Sequence, residues 1–299
     1  MSGVKNQHYV PRFYLRSFTD DSGYLSVVRR DAGVLKPVFR PKPENVCAEN
    51  YLYEVKRREN VGGDDFIEKG VIEVALGKIE NDLAPAYRLL LSYLDSEKPP
   101  KGEECVKLIA QLAFLLAFFI VRNPKWLNEV RGNAGAHSAE LLSSGFFSDE
   151  DISQMVLAGY GDEFEAIVEL AYLDTVLFRL DKGAPLYDLL VLLLDMDCCF
   201  YAAPEGSEFI TTSLPAHAEW KDESDENPCG IYFPLSPRYA VVFRQRLEEE
   251  RCVSTTRISS TEVDSFNRIL MNGDGLWEFL IAKDRSYLER LIRQYRSGL

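Results

Sequence analysis

The 299-residue chain predicts an α+β fold, a helical middle flanked by N- and C-terminal segments rich in β structure. Between residues 66 and 195, apolar residues recur at helical spacing. Before residue 60 and after residue 196, short runs of β-branched and aromatic residues alternate with Gly, Pro and Asp turns. The two kinds of segment stay apart rather than alternate as βαβ units would. We expect one domain, 1–299, built of a β-rich segment (1–60), a helical region (66–195) and a β-rich segment with two helices (196–299). The two β segments are expected to share one sheet or to face each other across the helices.

The elements follow in order. Arg12 to Phe18 reads as a short helical turn behind Pro11, whose missing N–H costs nothing in a first turn. Tyr24 to Val28 is a strand between the turns at Asp20–Gly23 and Asp31–Gly33, hence a hairpin. Pro37, Pro41 and Pro43 then interrupt regular structure, and Tyr51 to Val55 is a further short strand. The seam Ile72, Leu76, Ile79, Leu83, Ala86 and Leu90, spaced by fours and threes, marks the clearest helix, over 66–95. Pro85 should kink or divide it. Leu108 to Val121 is apolar apart from Gln111. Its 14 residues fall short of the ~20 that span a bilayer, so it reads as a central core helix.

Helix resumes after Asn123-Pro124, over 125–143, and again over 152–158 and 163–180. Leu186 to Asp195 fits a helix end or a strand equally. Cys198–Ala203 and Glu208–Thr212 read as strands paired across Pro204-Glu205-Gly206. Gly230–Leu235 and Tyr239–Arg244 form a second pair around Ser236-Pro237. A helix over Ser260–Met271, capped by Ser260 or Thr261, a strand over Trp277–Ala282 and a helix over Arg285–Arg296 complete the chain.

The formal net charge is −13. Such a chain is repelled by phosphate backbones and anionic membranes at long range. Nucleic acid is therefore a partner only through the basic N-terminal segment, with Arg12, Arg16, Arg29, Arg30, Lys36, Arg40 and Lys42. No membrane partner is expected; a protein partner is compatible with the acidic surface. The six cysteines form no Cys-x-x-Cys pair, and no apolar leader opens the chain, so a soluble protein of the reducing cytoplasm is expected. No Walker or Rossmann fingerprint is present, so no nucleotide cofactor is indicated.

Asn6 to Phe18, Asn-Gln-His-Tyr-Val-Pro-Arg-Phe-Tyr-Leu-Arg-Ser-Phe, resembles the opening signature of the domain-of-unknown-function 4238 family, found mainly in bacteria. Further blocks follow in the family's order. They are Glu49-Asn50-Tyr51-Leu52-Tyr53; Ile67-Glu68-Lys69 with Ile79-Glu80 and Leu83-Ala84-Pro85; and Arg122-Asn123-Pro124. Phe209-Ile210-Thr211-Thr212 with Pro215, Tyr232 with Pro234-Leu235-Ser236-Pro237, and Phe266-Asn267 complete the series. Where the family block usually carries Asp, this chain has Ser213. The resemblance implies a fold and candidate positions; it implies no activity.

Within those blocks lie the residues able to do chemistry. His8 can serve as a general base or metal ligand near neutral pH; its structural alternative is to fix the N-terminal turn. Arg12 and Arg16, one helical turn apart, can hold a phosphate or carboxylate, or pair with surplus acids. Glu80 can act beside His8 or pair with an Arg of the N-terminal motif. Glu68 can bind a divalent metal, the cofactor a hydrolytic reading calls for. Thr211, Thr212 and Ser213, at a strand end, can contact a substrate or simply form a turn. No Gly-x-Ser-x-Gly elbow surrounds Ser213.

Two functions follow from these residues. One is a bacterial intracellular hydrolytic, nuclease-like effector with His8 as base, Arg12 on the phosphate and Glu80 or Glu68 on a metal. The other is a non-catalytic protein- or ligand-binding regulatory protein in which the His8 motif is a structural clasp.

Overall fold

The computed structural model describes residues 5–57, 65–96, 102–143, 148, 150, 153–154, 163–222, 227–246, 253–272 and 277–297. Among the described residues 51% are helical and 20% lie in strands, and the helices gather in the middle of the chain, so the protein is α+β as expected. It begins with β1 (Asn6–His8), α1 (Arg12–Leu15, continued as a 3-10 turn to Phe18), β2 (Ser26–Asp31) and β3 (Val34–Leu35). Next come β4 (Ala48–Asn50), β5 (Val55–Lys56) and β6 (Phe66–Ile67). The helices α2 (Val71–Ser96), α3 (Gly102–Val121), α4 (Pro124–Ser143), α5 (Phe164–Phe178) and α6 (Pro185–Asp195) follow. The C-terminal part holds β7 (Asp197–Ala202), β8 (Thr211–Thr212), β9 (His217–Glu219), β10 (Gly230–Pro234), β11 (Tyr239–Arg244) and β12 (Val253–Arg257). The last elements are α7 (Ser260–Asn272), β13 (Phe279–Ala282) and α8 (Arg285–Ser297).

The chain folds as two compact units, each gathered from three stretches. Unit 1 holds Met1–Tyr9, Glu49–Glu80 and Val121–Leu189; unit 2 holds Val10–Ala48, Asn81–Ile120 and Leu190–Leu299. In unit 1, β1 pairs with β4, and β5 with β6 in antiparallel register, Val55 opposite Ile67. Helices α4 and α5 pack through Ala134, Phe164 and Val168, and the Arg131–Glu169 ion pair (2.7 Å) ties them together.

Unit 2 carries a five-stranded sheet in the order β12-β7-β11-β10-β9 and a four-stranded sheet in the order β3-β2-β13-β8. The second sheet joins the two ends of the sequence, with Val28 opposite Leu280 and Val27 opposite Ile281. The N- and C-terminal β segments thus do share one sheet. Val28, Phe209, Ile210, Val242, Val263, Phe266, Leu280 and Leu288 form one buried cluster with the apolar faces of α7 and α8. By length and composition α3 could cross a membrane, but Leu112, Ala113, Leu116, Ala117 and Phe118 are buried in the fold, as the core-helix reading requires.

Several elements differ from expectation. Cys198–Ala203 does not pair with Glu208–Thr212. Strand β7 lies between β11, antiparallel, and β12, parallel, while β8 pairs with β13. The Pro204-Glu205-Gly206 turn leads the chain from one sheet to the other instead of closing a hairpin. Pro85 does not divide α2, which runs unbroken past it. Leu83, Tyr87 and Leu90 are buried on either side of Pro85, and this packing outweighs the one lost hydrogen bond. Tyr51–Val55 is mostly turn, because Tyr51 takes a left-handed conformation (φ 58°). The apolar run at Leu186–Asp195 is helical, with Leu186 and Leu193, seven apart, on its buried face. Helix α7 is capped by Ser259, not Ser260 or Thr261. Its hydroxyl accepts the Glu262 N–H (3.3 Å) while its own N–H donates to the Glu262 carboxylate (2.8 Å), a reciprocal capping box. Most of the helix predicted over 152–158 lies outside the described residues.

Candidate functional site

The start of the N-terminal motif, residues 6–9 in unit 1, is built around one buried cation. Arg122 follows the last residue of α3 and is 1% exposed. A buried guanidinium is tolerable only when its donors are matched, and here they are. Nη1 donates to Glu80 Oε1 (2.7 Å), Nη2 to the main-chain carbonyl of His8 (2.5 Å) and Nε to the Tyr53 hydroxyl (3.1 Å). The Tyr53 hydroxyl donates in turn to the His8 carbonyl (3.0 Å). Burial pushes the Tyr53 phenol up to about 12, with Arg122 opposing the rise. For Arg122, burial favours loss of the proton, but Tyr53 and Glu80 outweigh it and hold the pKa above its ordinary value.

Gln7 completes this node. Its side chain accepts the Tyr53 N–H (2.8 Å) and donates to Glu54 (2.7 Å), whose carboxylate takes the Gly70 N–H (3.0 Å). Strand β1, the turn at 51–54 and the entry to α2 are thus fastened by Gln7, Tyr53, Glu54 and Arg122. The His8 contribution at this node comes from its carbonyl. His8 and Glu80, both predicted as site residues, meet here through Arg122. Glu80 does pair with an arginine, but with Arg122 rather than with one from the N-terminal motif.

The other predicted residues lie elsewhere. Arg12 and Arg16 are exposed members of unit 2. Arg16 pairs with Glu44 at 3.5 Å. The Glu44 carboxyl is held below its ordinary value by its own backbone N–H first and then, against the effect of burial, by Arg16 and Arg12. Glu68 is exposed in the loop before α2, with φ 46°. Among the described residues no group of three or more His, Cys, Asp or Glu side chains is placed to hold a metal ion.

Thr211, Thr212 and Ser213 are all buried in unit 2. The Tyr14 hydroxyl donates to the Pro234 carbonyl (2.7 Å), so the Thr211 hydroxyl, also 2.7 Å away, is the donor to Tyr14. Thr212 Oγ1 bonds both ends of its own turn, donating to the Leu214 carbonyl (2.5 Å) and accepting the Leu214 N–H (3.0 Å). Ser213 Oγ accepts two main-chain N–H groups, from Glu278 (2.7 Å) and Phe279 (3.1 Å). An aspartate could accept the same pair. Asn267, fully buried, accepts the Ile210 N–H (3.1 Å) and donates to the Glu208 carbonyl (2.9 Å) and to the Tyr287 hydroxyl (3.0 Å).

A cleft of about 520 Å³ opens in unit 2 between the α2–α3 helix pair and strands β7 and β12. Leu90 and Leu94 of α2, Cys105, Leu108 and Ile109 of α3, and Phe200 of β7 supply apolar walls. Arg238 and Arg257 stand at one end and also line a second, more polar cavity of about 580 Å³ that contains Glu205 and Glu208. Arg238 pairs with Asp95 (3.1 Å), and the Tyr239 hydroxyl reaches the Leu94 carbonyl (3.0 Å).

Sequence reasoning did not single out Gln7, Tyr53 or Arg122 as a node, nor Arg238 and Arg257. Arg122 carried a signal that could have been read: a lone cation ending a long apolar run must be matched inside the fold. The cleft carried none, since its walls come from five separate stretches.

No curated protein and no solved structure matches the chain. One family model does, described as "Protein of unknown function (DUF4238)", and it matches residues 6–285. The blocks that fasten β1, the 209–213 segment and α7 all fall inside that span, and the chain belongs to the DUF4238 family.

Proposed function

We propose that this protein is a non-catalytic ligand-binding regulatory protein, with its N-terminal motif as a structural clasp and the unit 2 cleft as the ligand seat. The observation that carries the reading is the use of the motif's polar groups. The His8 carbonyl accepts from both Arg122 and Tyr53, and Glu80 answers the Arg122 charge. Of the groups that a hydrolytic mechanism would recruit, the Glu80 carboxylate is thereby engaged, through Arg122, in holding β1 in place. Thr211 and Ser213 are likewise engaged with main chain or with Tyr14. A cleft of about 520 Å³ with apolar walls and a few polar groups at one end has the size and character of small-molecule sites, ~300–1,000 Å³.

The test pairs native mass spectrometry of the purified protein with assays of nucleic-acid hydrolysis in Mg²⁺ or Mn²⁺. A co-purifying or titratable small molecule, with no hydrolysis, supports the reading. Metal-dependent cleavage that vanishes in His8→Ala at unchanged melting temperature would overturn it in favour of a hydrolytic effector.

A further inference from the structure

We infer that the unit 2 cleft binds a molecule with an apolar body and a single anionic headgroup, a carboxylate or a phosphate monoester, the headgroup held by Arg238 and Arg257. This rests on the ligand-binding reading above and adds the chemistry of the ligand.

The placement of charge carries the inference. Arg238, Arg257 and Ala202 line both cavities, so the two arginines stand where the apolar cleft gives way to the polar one. A body lying against Leu94, Leu108, Ile109 and Phe200 would leave water and bring its polar end to that boundary. Planar guanidinium forks match a carboxylate or phosphate in geometry as well as sign.

The neighbouring acids sharpen the selectivity. Asp95 holds Arg238 at 3.1 Å, and Glu205 and Glu208 face the polar side. A bare anion must displace Asp95 and approach these carboxylates without compensation. An amphipathic anion gains apolar burial in the same step. Inorganic phosphate should therefore bind far more weakly than an alkyl acid.

The experiment is calorimetric titration of the full chain with octanoate, octyl phosphate, octan-1-ol and inorganic phosphate, together with mass-spectrometric mapping of alkylation at Cys105, which lines the cleft. At least one of the two amphipathic anions is expected to bind and to slow Cys105 alkylation; comparing them identifies the headgroup. Octan-1-ol is expected to bind at least about tenfold more weakly, and inorganic phosphate more weakly still. Arg238→Gln and Arg257→Gln should each weaken the anion about tenfold and leave octan-1-ol unchanged.

Equal binding of octanoate and octan-1-ol, unaltered affinity in both arginine variants, or full Cys105 reactivity with anion bound overturns the inference. Failure of every probe in a protein that carries a different small molecule overturns it while leaving the ligand-binding reading standing. Metal-dependent hydrolysis lost in His8→Ala removes that reading instead.

Discussion

Replacing Arg122 by methionine removes three contacts at once. Lost are the ion pair to Glu80, one of two bonds to the His8 carbonyl and the bond to the Tyr53 hydroxyl. The guanidinium also lies over the Tyr53 ring, 5.7 Å from its centroid, and methionine keeps part of that packing. The His8 carbonyl retains Tyr53 as a donor, so it is not left bare. Glu80 loses its countercharge, but at 26% side-chain exposure it can recruit water. Breaking a buried pair from one side costs about 3–5 kcal/mol, and partial solvation of Glu80 places Arg122→Met near the lower end, about 3 kcal/mol.

With a urea m-value of about 1–3 kcal/mol/M, the denaturation midpoint should fall by roughly 1 M or more. Hydrogen exchange of the 5–9 segment should accelerate with it, because β1 is what the node fastens. Glu80→Gln on the Arg122→Met background should recover part of the loss, a coupling of about 1–3 kcal/mol. Arg122→Lys keeps the charge but cannot reach three acceptors set around a planar fork, so it should fall between. A midpoint unchanged in Arg122→Met, or purely additive Arg122 and Glu80 effects, would refute the clasp.

Three other outcomes are expected. Ser213→Ala leaves the Glu278 and Phe279 N–H groups without their shared acceptor and should cost about 1–3 kcal/mol by urea denaturation, whereas Ser213→Asp, which restores an acceptor, should cost clearly less. Asn267→Leu, similar in volume, removes an amide that serves the 208–210 main chain and Tyr287. It should destabilise by about 2 kcal/mol or more, and a neutral result would refute that role. Burial raises the Glu208 carboxyl from 4.5 to about 7, against the Asp284 N–H that favours its charged form. Between those values the native state holds a proton that the unfolded chain has released. Stability should therefore fall as pH rises from about 4.5 through about 7, by about 3 kcal/mol at most, and stay lower above it. Glu208→Gln should flatten that slope, being near neutral at about pH 4 and stabilising at about pH 8; the opposite order would show that the charge capping α8 matters more.

Local patterns sufficed for much of this protein. The seam from Ile72 to Leu90, the apolar run of α3 and the pair of strands around Ser236-Pro237 are periodicities written in consecutive residues, and each became the element expected. The ordered series of short blocks, from Asn6 to Asn267, was enough to reach the family. Misreadings occurred where a neighbour distant in sequence outweighed local preference. Glu208–Thr212 looks like the partner of Cys198–Ala203, but Leu280 and Ile281 claim Thr212 and Thr211, and Asn267 claims the main chain before them.

The sequence by itself determined the α+β class, the core helix and the family, because those depend on period and order along the chain. It could nominate His8, Glu80, Thr211 and Ser213 as polar groups at suggestive positions, but not say which atoms they would use. Only the tertiary structure decided that His8 offers its carbonyl, that Glu80 answers Arg122, and that Ser213 brackets β13. It alone placed Arg238 and Arg257 at the end of an apolar cleft. The physical reason is desolvation. A polar group removed from water takes whichever partner the packed chain brings within 3 Å or so, and that partner lies anywhere in the sequence.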